Sequence, residues 1–548
     1  MMSWLFNAPA TTGLHLKLNK RLGRTTALIF SLLVSLFLCT SALRGFKSPP
    51  PYINGPVTTF SSATSWLPFL VPANQRQPPP TFYPFEATSA FSPVAHDDVH
   101  TKATHDLCAS FPTYLTQRIQ PVLKMGHGED HRKRDAQLDS VSACFPPDDL
   151  LIFSDFDEPL ANGTRKAIDI LANLPQPYRD DNPDFANYEA MRELVRKGKL
   201  TPQNDPTTGK NGWRLDKYKF LAEVERAWLM RPGRDWYVFY ETDTYIVWDN
   251  MFRFLSTLDP QTPLYMGSPS PGRVDDKLKL KTWFANGGPG FVLSRGAMEK
   301  LLNRASAPVT GQYTDASLSL AWLDLIRADC CGDSVLGWAL WSAGIPLSGF
   351  FPLFNPYPTH GIPYSDRAWC QPVLTMHKPE PNDMVELWRW EHGRRKLGRP
   401  LLYADLYEFR RIGSGSAPAI RYNWDNTNYD RVANGHDVHA DSLEACTKAC
   451  EAEARCKQYM WRGEQRKSCV LMPFINLGVA KEPETIESNE TLRDPQPAGG
   501  GPESPKWRIV EERFNFTSGW LPVRIGKWRD ENECTEPDWL WPSIDRHF

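Results

Sequence analysis

Neither sign of charge is in excess in this 548-residue chain, where 62 basic residues face 64 acidic ones for a net charge of −2. The balance leaves no electrostatic footprint for nucleic acid, and partners of that class are excluded. Paired C-x2-C units are missing from the cysteine cluster of the carboxyl-terminal third, which argues against structural zinc there. A chain this long exceeds one ordinary core, so two or more domains are expected. What it does have is proline, 48 residues in all and densest in the first hundred and last sixty positions, and 20 tryptophans. Tryptophan faces suit sugar stacking, although core filling is the commoner use. Of eleven cysteines, Cys39 lies in an apolar stretch and the other ten form an even set suited to disulfides in an oxidising compartment.

Thr25 to Leu43 carries no charge and is long enough to span a bilayer core as a helix. Lys17, Lys20, Arg21 and Arg24 precede it, which predicts a cytosolic tail over 1–24, a signal-anchor over 25–43 and a lumenal remainder. A cleaved signal peptide is the competing reading, disfavoured by the length of chain ahead of the apolar run. Residues 44–100 are rich in Pro, Ser and Thr and read as a stem. Lumenal placement fits the sequons at Asn162, Asn489 and Asn515. The expected address is the Golgi (or ER) membrane, single-pass type II.

Over 101–400, short apolar runs alternate with helical patterns. Leu150 to Phe153 leads into Ser154-Asp155, and Trp236 to Tyr240 runs into Glu241-Thr242-Asp243. Further strands are expected at Leu264 to Met266 and Phe291 to Leu293, with helices around Tyr218 to Trp228 and from Arg295 to Leu302. The alternation predicts an α/β domain with a mostly parallel mixed sheet covered on both faces. Ligands of such sheets bind beyond the carboxyl ends of the strands, where Glu241 and Asp243 fall. Two hard oxygen donors there can hold Mn²⁺ or Mg²⁺ against a diphosphate, whereas the bland reading is a solvated turn.

Asp235 to Tyr245 closely resembles the strand and metal motif of glycosyltransferase family 31, which includes the Fringe enzymes, the core-1 galactosyltransferases and a fungal branch. Phe284-Ala285-Asn286-Gly287-Gly288-Pro289-Gly290 resembles its Gly-Gly-x-Gly segment, Cys331-Gly332-Asp333-Ser334 its acidic motif, and Trp369-Cys370-Gln371-Pro372 with Thr375-Met376-His377 its late histidine motif. The four occur in the family's order. The resemblance implies a GT-A type fold for nucleotide-diphospho-sugars and inversion at the anomeric carbon. It implies Asp243 as main metal ligand, with Glu241 and His377 assisting. Asp333 is then the candidate base, or the cap of the helix that follows it. Asp155, Thr242, Gly287 and Gly288 are expected at the donor, the glycines through close backbone approach or as a tight turn. Trp283 and Phe284 are candidate acceptor contacts, with core packing as the alternative. Two departures stand out. Thr242 replaces an acid of the family's common triplet, and Gly332 leaves Asp333 without an acidic neighbour.

Cys446, Cys450, Cys456 and Cys469 resemble a PAN or apple module over 436–475, with connectivity open. Residues 483–505 read as a Pro/Gly/Glu-rich linker, and a Trp-rich tail over 506–548 is expected to pack back on a domain. The expected function is metal-dependent, inverting transfer of a hexose or N-acetylhexosamine from a UDP-sugar to a glycan, glycoprotein or glycolipid. An inactive relative acting as lectin or folding partner is the alternative.

Overall fold

The computed structural model describes residues 89–91, 99–307, 310, 312–394, 398–410, 419–427, 438–492, 506–540 and 542–544. All lie in one compact unit, Gln77–Phe548. The expected tail and signal-anchor lie outside the described residues, and among the described residues no helix is long and apolar enough to cross a membrane.

The central sheet is built from β1 (Ile119–Lys124), β2 (Leu151–Ser154), β3 (Glu158–Leu160), β4 (Arg165–Asp169) and β5 (Trp236–Glu241). A small strand β6 (Thr244–Ile246) precedes its further members β7 (Tyr265–Gly267), β10 (Phe291–Ser294) and β11 (Leu347–Gly349), while β8 (Pro269–Asp275) and β9 (Leu280–Ala285) form a hairpin between them. The order is β11-β7-β10-β5-β1-β2-β4-β3. Only β10 and β3 run against their neighbours, so the sheet is mixed and mostly parallel, which fits the expected GT-A type.

Its central strand shows why both faces are covered. Trp236, Val238 and Tyr240 enter one apolar cluster while Tyr237 and Phe239 enter the other, the period-two alternation of a strand with no wet side. The principal helices are α1 (His131–Asp139), α2 (Ala186–Arg196), α3 (Lys210–Asp216), α4 (Lys219–Met230), α5 (Trp248–Ser256), α6 (Arg295–Leu302), α7 (Gly332–Ser342), α8 (Pro381–Arg394), α9 (Leu443–Ala452) and α10 (Pro522–Glu531). Residues of α4 and α7 cover one face, and residues of α5 and α8 the other. The Ser294 side chain caps α6 by accepting from the Ala297 N–H. A three-stranded sheet, β12 (Phe354–Asn355), β13 (Thr375–His377) and β6, lies across the end of β5.

The expected stem contributes to this core. Phe91 is buried against Phe111 and Phe252, and the Ser89 hydroxyl donates to Asp249 at 2.6 Å. All ten cysteines beyond Cys39 are paired, as Cys108–Cys144, Cys330–Cys331, Cys370–Cys534, Cys446–Cys469 and Cys450–Cys456.

Beyond α8 the chain adds β14 (Ile420–Tyr422), β15 (Trp424–Asp425), β16 (Val438–His439), β17 (Gln458–Trp461), β18 (Ser468–Met472), β19 (Val479–Ala480), β20 (Glu484–Leu492), β21 (Lys506–Phe514) and β22 (Thr517–Trp520). A five-stranded sheet, β14-β22-β17-β18-β16, holds α9 through the last two disulfides and takes in two strands from outside 436–475. The segment expected as a linker differs from that reading at its start, since β20 pairs in antiparallel register with β21 from Glu484↔Phe514 to Leu492↔Lys506.

Candidate active site

A cleft of about 530 Å³ opens beyond the carboxyl ends of β1 and β5. Parallel register sets Lys124 beside Glu241, and the Lys124 ammonium lies 3.1 Å from Glu241 Oε1 and 2.6 Å from Asp216 Oδ2. Burial disfavours that charge, but Asp216 and Glu241 more than restore it and raise the lysine pKa. The chain turns at Thr242-Asp243 into β6, with the Glu241 N–H donating to Thr244 Oγ1 and the Thr244 hydroxyl donating to the Gly288 carbonyl.

The histidine arrives from far along the chain. Strand β13 pairs antiparallel with β6, placing His377 opposite Thr244, and the Lys378 N–H donates to the Asp243 carbonyl. His377 Nε2 then lies 3.5 Å from Asp243 Oδ1, and Lys133 from α1 lies 3.0 Å from Asp243 Oδ2. Burial alone would raise the Asp243 pKa, yet the hydrogen bonds and charges of His377 and Lys133 hold it well below the usual carboxylate range. Glu241 is raised, burial outweighing Lys124.

One ligand atom from each of Glu241, Asp243 and His377 falls within 4.8 Å of the others. Two carboxylates and an imidazole suit Mn²⁺ or Mg²⁺, so the residues fit the implied metal. A second cluster, Asp329, Cys330 and Cys331, does not, because both sulfurs are spent in a disulfide and no thiolate is available.

Asp333 enters from the first turn of α7. Its Oδ2 accepts the Gly287 N–H at 3.0 Å and its Oδ1 the Ser334 N–H at 2.8 Å, while Cys331 holds the N-cap position without a side-chain cap bond. The carboxylate is thus fixed by two backbone donors rather than acting as the cap. Burial raises its pKa and the two N–H groups lower it, with burial prevailing. Gly287 and Gly288 are where a side chain has no room: a Cβ on Gly288 would lie 2.1 Å from the His377 ring, and one on Gly287 2.7 Å from Phe220. Gly290 closes the turn at φ +77°, a conformation that favours glycine.

The other expected site residues divide between the cleft and its surroundings. Asp155 is fully buried beneath the cleft, accepting the His127 N–H at 2.6 Å and pairing with Lys219 at 3.2 Å; it acts on the cleft by fixing the Gly126–Glu129 loop. Thr242 lines the cleft, donating to Glu129 Oε1 at 2.6 Å. Trp283 and Phe284 lie on the β8–β9 hairpin and not among the cleft-lining residues: Phe284 packs on Gly337 of α7, and Lys281 covers the Trp283 ring. Lys124, Glu129, Lys133, Trp213 and Asp216 line the cleft without having been read from the sequence. Only Lys124 carried a signal, a charge ending the mostly apolar stretch Ile119 to Leu123, as Asp155 follows its own. A larger groove of about 900 Å³, bordered by Asp366, Lys457 and Trp528, lies against α10 and contains neither of these residue groups.

Residues 201–326 match the family model described as Fringe-like. The chain is similar to the β-1,3-N-acetylglucosaminyltransferase radical fringe of Gallus gallus, 33% identical over 93 residues, covering 15% of this chain and 25% of that protein. It is similar to the Xenopus laevis protein of the same name, at 35% over 92 residues, 15% of this chain and 27% of that protein. To the Fringe glycosyltransferase of Drosophila melanogaster it is 30% identical over 94 residues, 15% and 22% respectively. The matches span about a quarter of these relatives' length. The matched segment holds Glu241, Asp243, Gly287 and Gly288 but ends before Asp333 and His377. Residues 201–326 are therefore the Fringe-like part of this chain, similar to glycosyltransferases over that segment.

Proposed function

We propose that the chain is an inverting, metal-dependent glycosyltransferase that moves a hexose or N-acetylhexosamine from a UDP-sugar to a glycan acceptor in the secretory pathway. One observation carries this reading: four separated segments deliver Glu241 with Asp243, Gly287 with Gly288, Asp333 and His377 to a single cleft. The similarity to proteins named β-1,3-N-acetylglucosaminyltransferases supports the reaction class. Five disulfides and the apolar run from Thr25 to Leu43 support the compartment and the membrane anchor.

Glu241, Asp243 and His377 would hold Mn²⁺ or Mg²⁺, which when bound neutralises charge on the leaving diphosphate. Lys133, paired with Asp243, sits where a second positive group can meet that diphosphate. The acceptor hydroxyl attacks the anomeric carbon opposite the leaving group. The new carbon–oxygen bond forms as the bond to the β-phosphate oxygen breaks, UDP departs with the electron pair, and the hydroxyl proton passes to an Asp333 carboxylate oxygen. Two backbone donors hold that carboxylate without exhausting its lone pairs.

The test is UDP release from a panel of UDP-sugars by the full chain in detergent, with Mn²⁺ and with chelator, beside Asp243→Ala and Asp333→Ala. Metal-dependent release lost in both variants is expected. Release that persists in chelator or in Asp243→Ala would overturn the metal-dependent reading.

A further inference from the structure

The lining of the cleft is not uniform. Glu241, Asp243, His377 and Lys133 gather at the candidate metal site, whereas Trp213, the Phe220 ring beneath the Lys124 ammonium and the Cys330–Cys331 disulfide add apolar surface to the side of Asp333. Trp213 is 64% exposed and lines the cleft, so its indole face is open to a ligand there. The disulfide joins adjacent residues immediately before α7, two positions from Asp333, and its sulfurs neither ionise nor bind metal.

The two features are parts of one wall. Trp213 and Lys217 are four residues apart and share a face at the end of α3. The Lys217 ammonium donates to the carbonyls of Arg327 at 3.3 Å and Asp329 at 3.1 Å, on the turn that carries the disulfide. A Cβ on Gly332 would lie 2.3 Å from the Lys217 carbonyl oxygen, so backbone meets backbone there. An Arg273–Asp329 ion pair ties the same turn to β8.

We infer that Trp213 and the Cys330–Cys331 disulfide form the acceptor-sugar subsite, taking the C–H face of a pyranose and presenting one of its hydroxyls to Asp333. A pyranose has an apolar face rimmed by hydroxyls, which is the shape an indole, a disulfide and a single carboxylate complement. The inference rests on the transferase reading of the cleft. It also moves acceptor recognition from Trp283 to a tryptophan on the opposite side of the central motifs in sequence.

Saturation-transfer NMR on the full chain, with UDP and Mn²⁺ present, tests it using methyl β-galactopyranoside, methyl β-glucopyranoside and their 2-acetamido counterparts as probes. Calorimetry in the same samples reads UDP affinity. Transfer to ring C–H protons of at least one glycoside is expected in the wild type. Trp213→Ala should weaken that binding about tenfold, the loss expected of an aromatic anchor, with UDP affinity unchanged. Trp213→Phe should keep most of it, and the paired change Cys330→Ser with Cys331→Ser should weaken it. Because Trp213 is exposed, its variants carry the test even where the cysteine variant misfolds. Wild-type glycoside binding in Trp213→Ala overturns the proposal, as does the absence of any glycoside binding while UDP binds. Loss of UDP binding in the wild type would instead overturn the transferase reading on which the proposal stands.

Discussion

At the scale of the residue, two aspartates in one cleft are driven in opposite directions. Burial dominates at Asp333 and raises its pKa despite the Gly287 and Ser334 donors. His377 and Lys133 together overcome burial at Asp243 and lower it. A base must be ionised to act, so turnover should be gained as pH rises through a value above the ordinary carboxylate pKa of about 4. Asp333→Asn should abolish that acid limb and lower kcat by about 10²- to 10⁴-fold with UDP affinity unchanged, as a pH–rate profile and calorimetry would show. The stability signs follow the same directions. An acid with a raised folded pKa binds protons more tightly when folded, so Asp333 subtracts stability as pH rises through its window. The Tm of the wild type relative to Asp333→Asn should therefore fall as pH rises through that window. Asp243, held low, contributes stability that is present above its unfolded value and lost only as pH falls through the folded one. Asp243, Glu241, His377 and Asp333 were legible because their motifs occur in a recognisable order. Lys133 and Asp216 were not, since each is an ordinary charged residue on a helix until the fold turns it toward a carboxylate or an ammonium.

At the scale of the element, the turn between β9 and β10 controls the site through what it lacks. Gly288 leaves the space that the His377 ring fills. Gly288→Ala should displace the imidazole and weaken Mn²⁺ binding by about tenfold or more, the penalty typical of disturbing a ligand's support, while thermal stability changes little. Unchanged Mn²⁺ affinity by calorimetric titration would remove His377 from the metal site. Strand β5 was readable because five apolar residues precede the acids. The β8–β9 hairpin was not, because its register, with a bulge between Pro271 and Val274, decides which way Trp283 and Phe284 face. Proline and glycine flanking it likewise masked β20, whose partner β21 supplies half of the pattern.

At the scale of the molecule, the carboxyl-terminal sheet is built into the core that carries the cleft. Cys534 reaches back to Cys370, Trp528 packs on Trp369 at 4.8 Å between ring centres, and Trp539 lies over Phe254 at 6.1 Å. Tyr364 and Ile475 exchange backbone hydrogen bonds across the junction. Cys370 and Cys534 are separated by 164 residues, so Cys534→Ala releases a long loop in the unfolded chain. It should lower stability by about 3–5 kcal/mol, seen as a lower Tm. An unchanged Tm would mean that the aromatic contacts alone dock the tail. The tail's tryptophans signalled docking in the sequence, but the strands β14 and β22 stand about 95 residues apart and their pairing is a long-range choice no local pattern records.

The central claim is that Glu241, Asp243 and His377 form one cation site serving a nucleotide donor. Calorimetric titration of UDP into the full chain, with Mn²⁺ and with chelator, tests it most directly when repeated on Asp243→Ala and His377→Ala. The account predicts UDP binding that requires Mn²⁺ in the wild type and is lost or strongly weakened in both variants. UDP binding of equal strength in chelator, or binding untouched by Asp243→Ala, would contradict it.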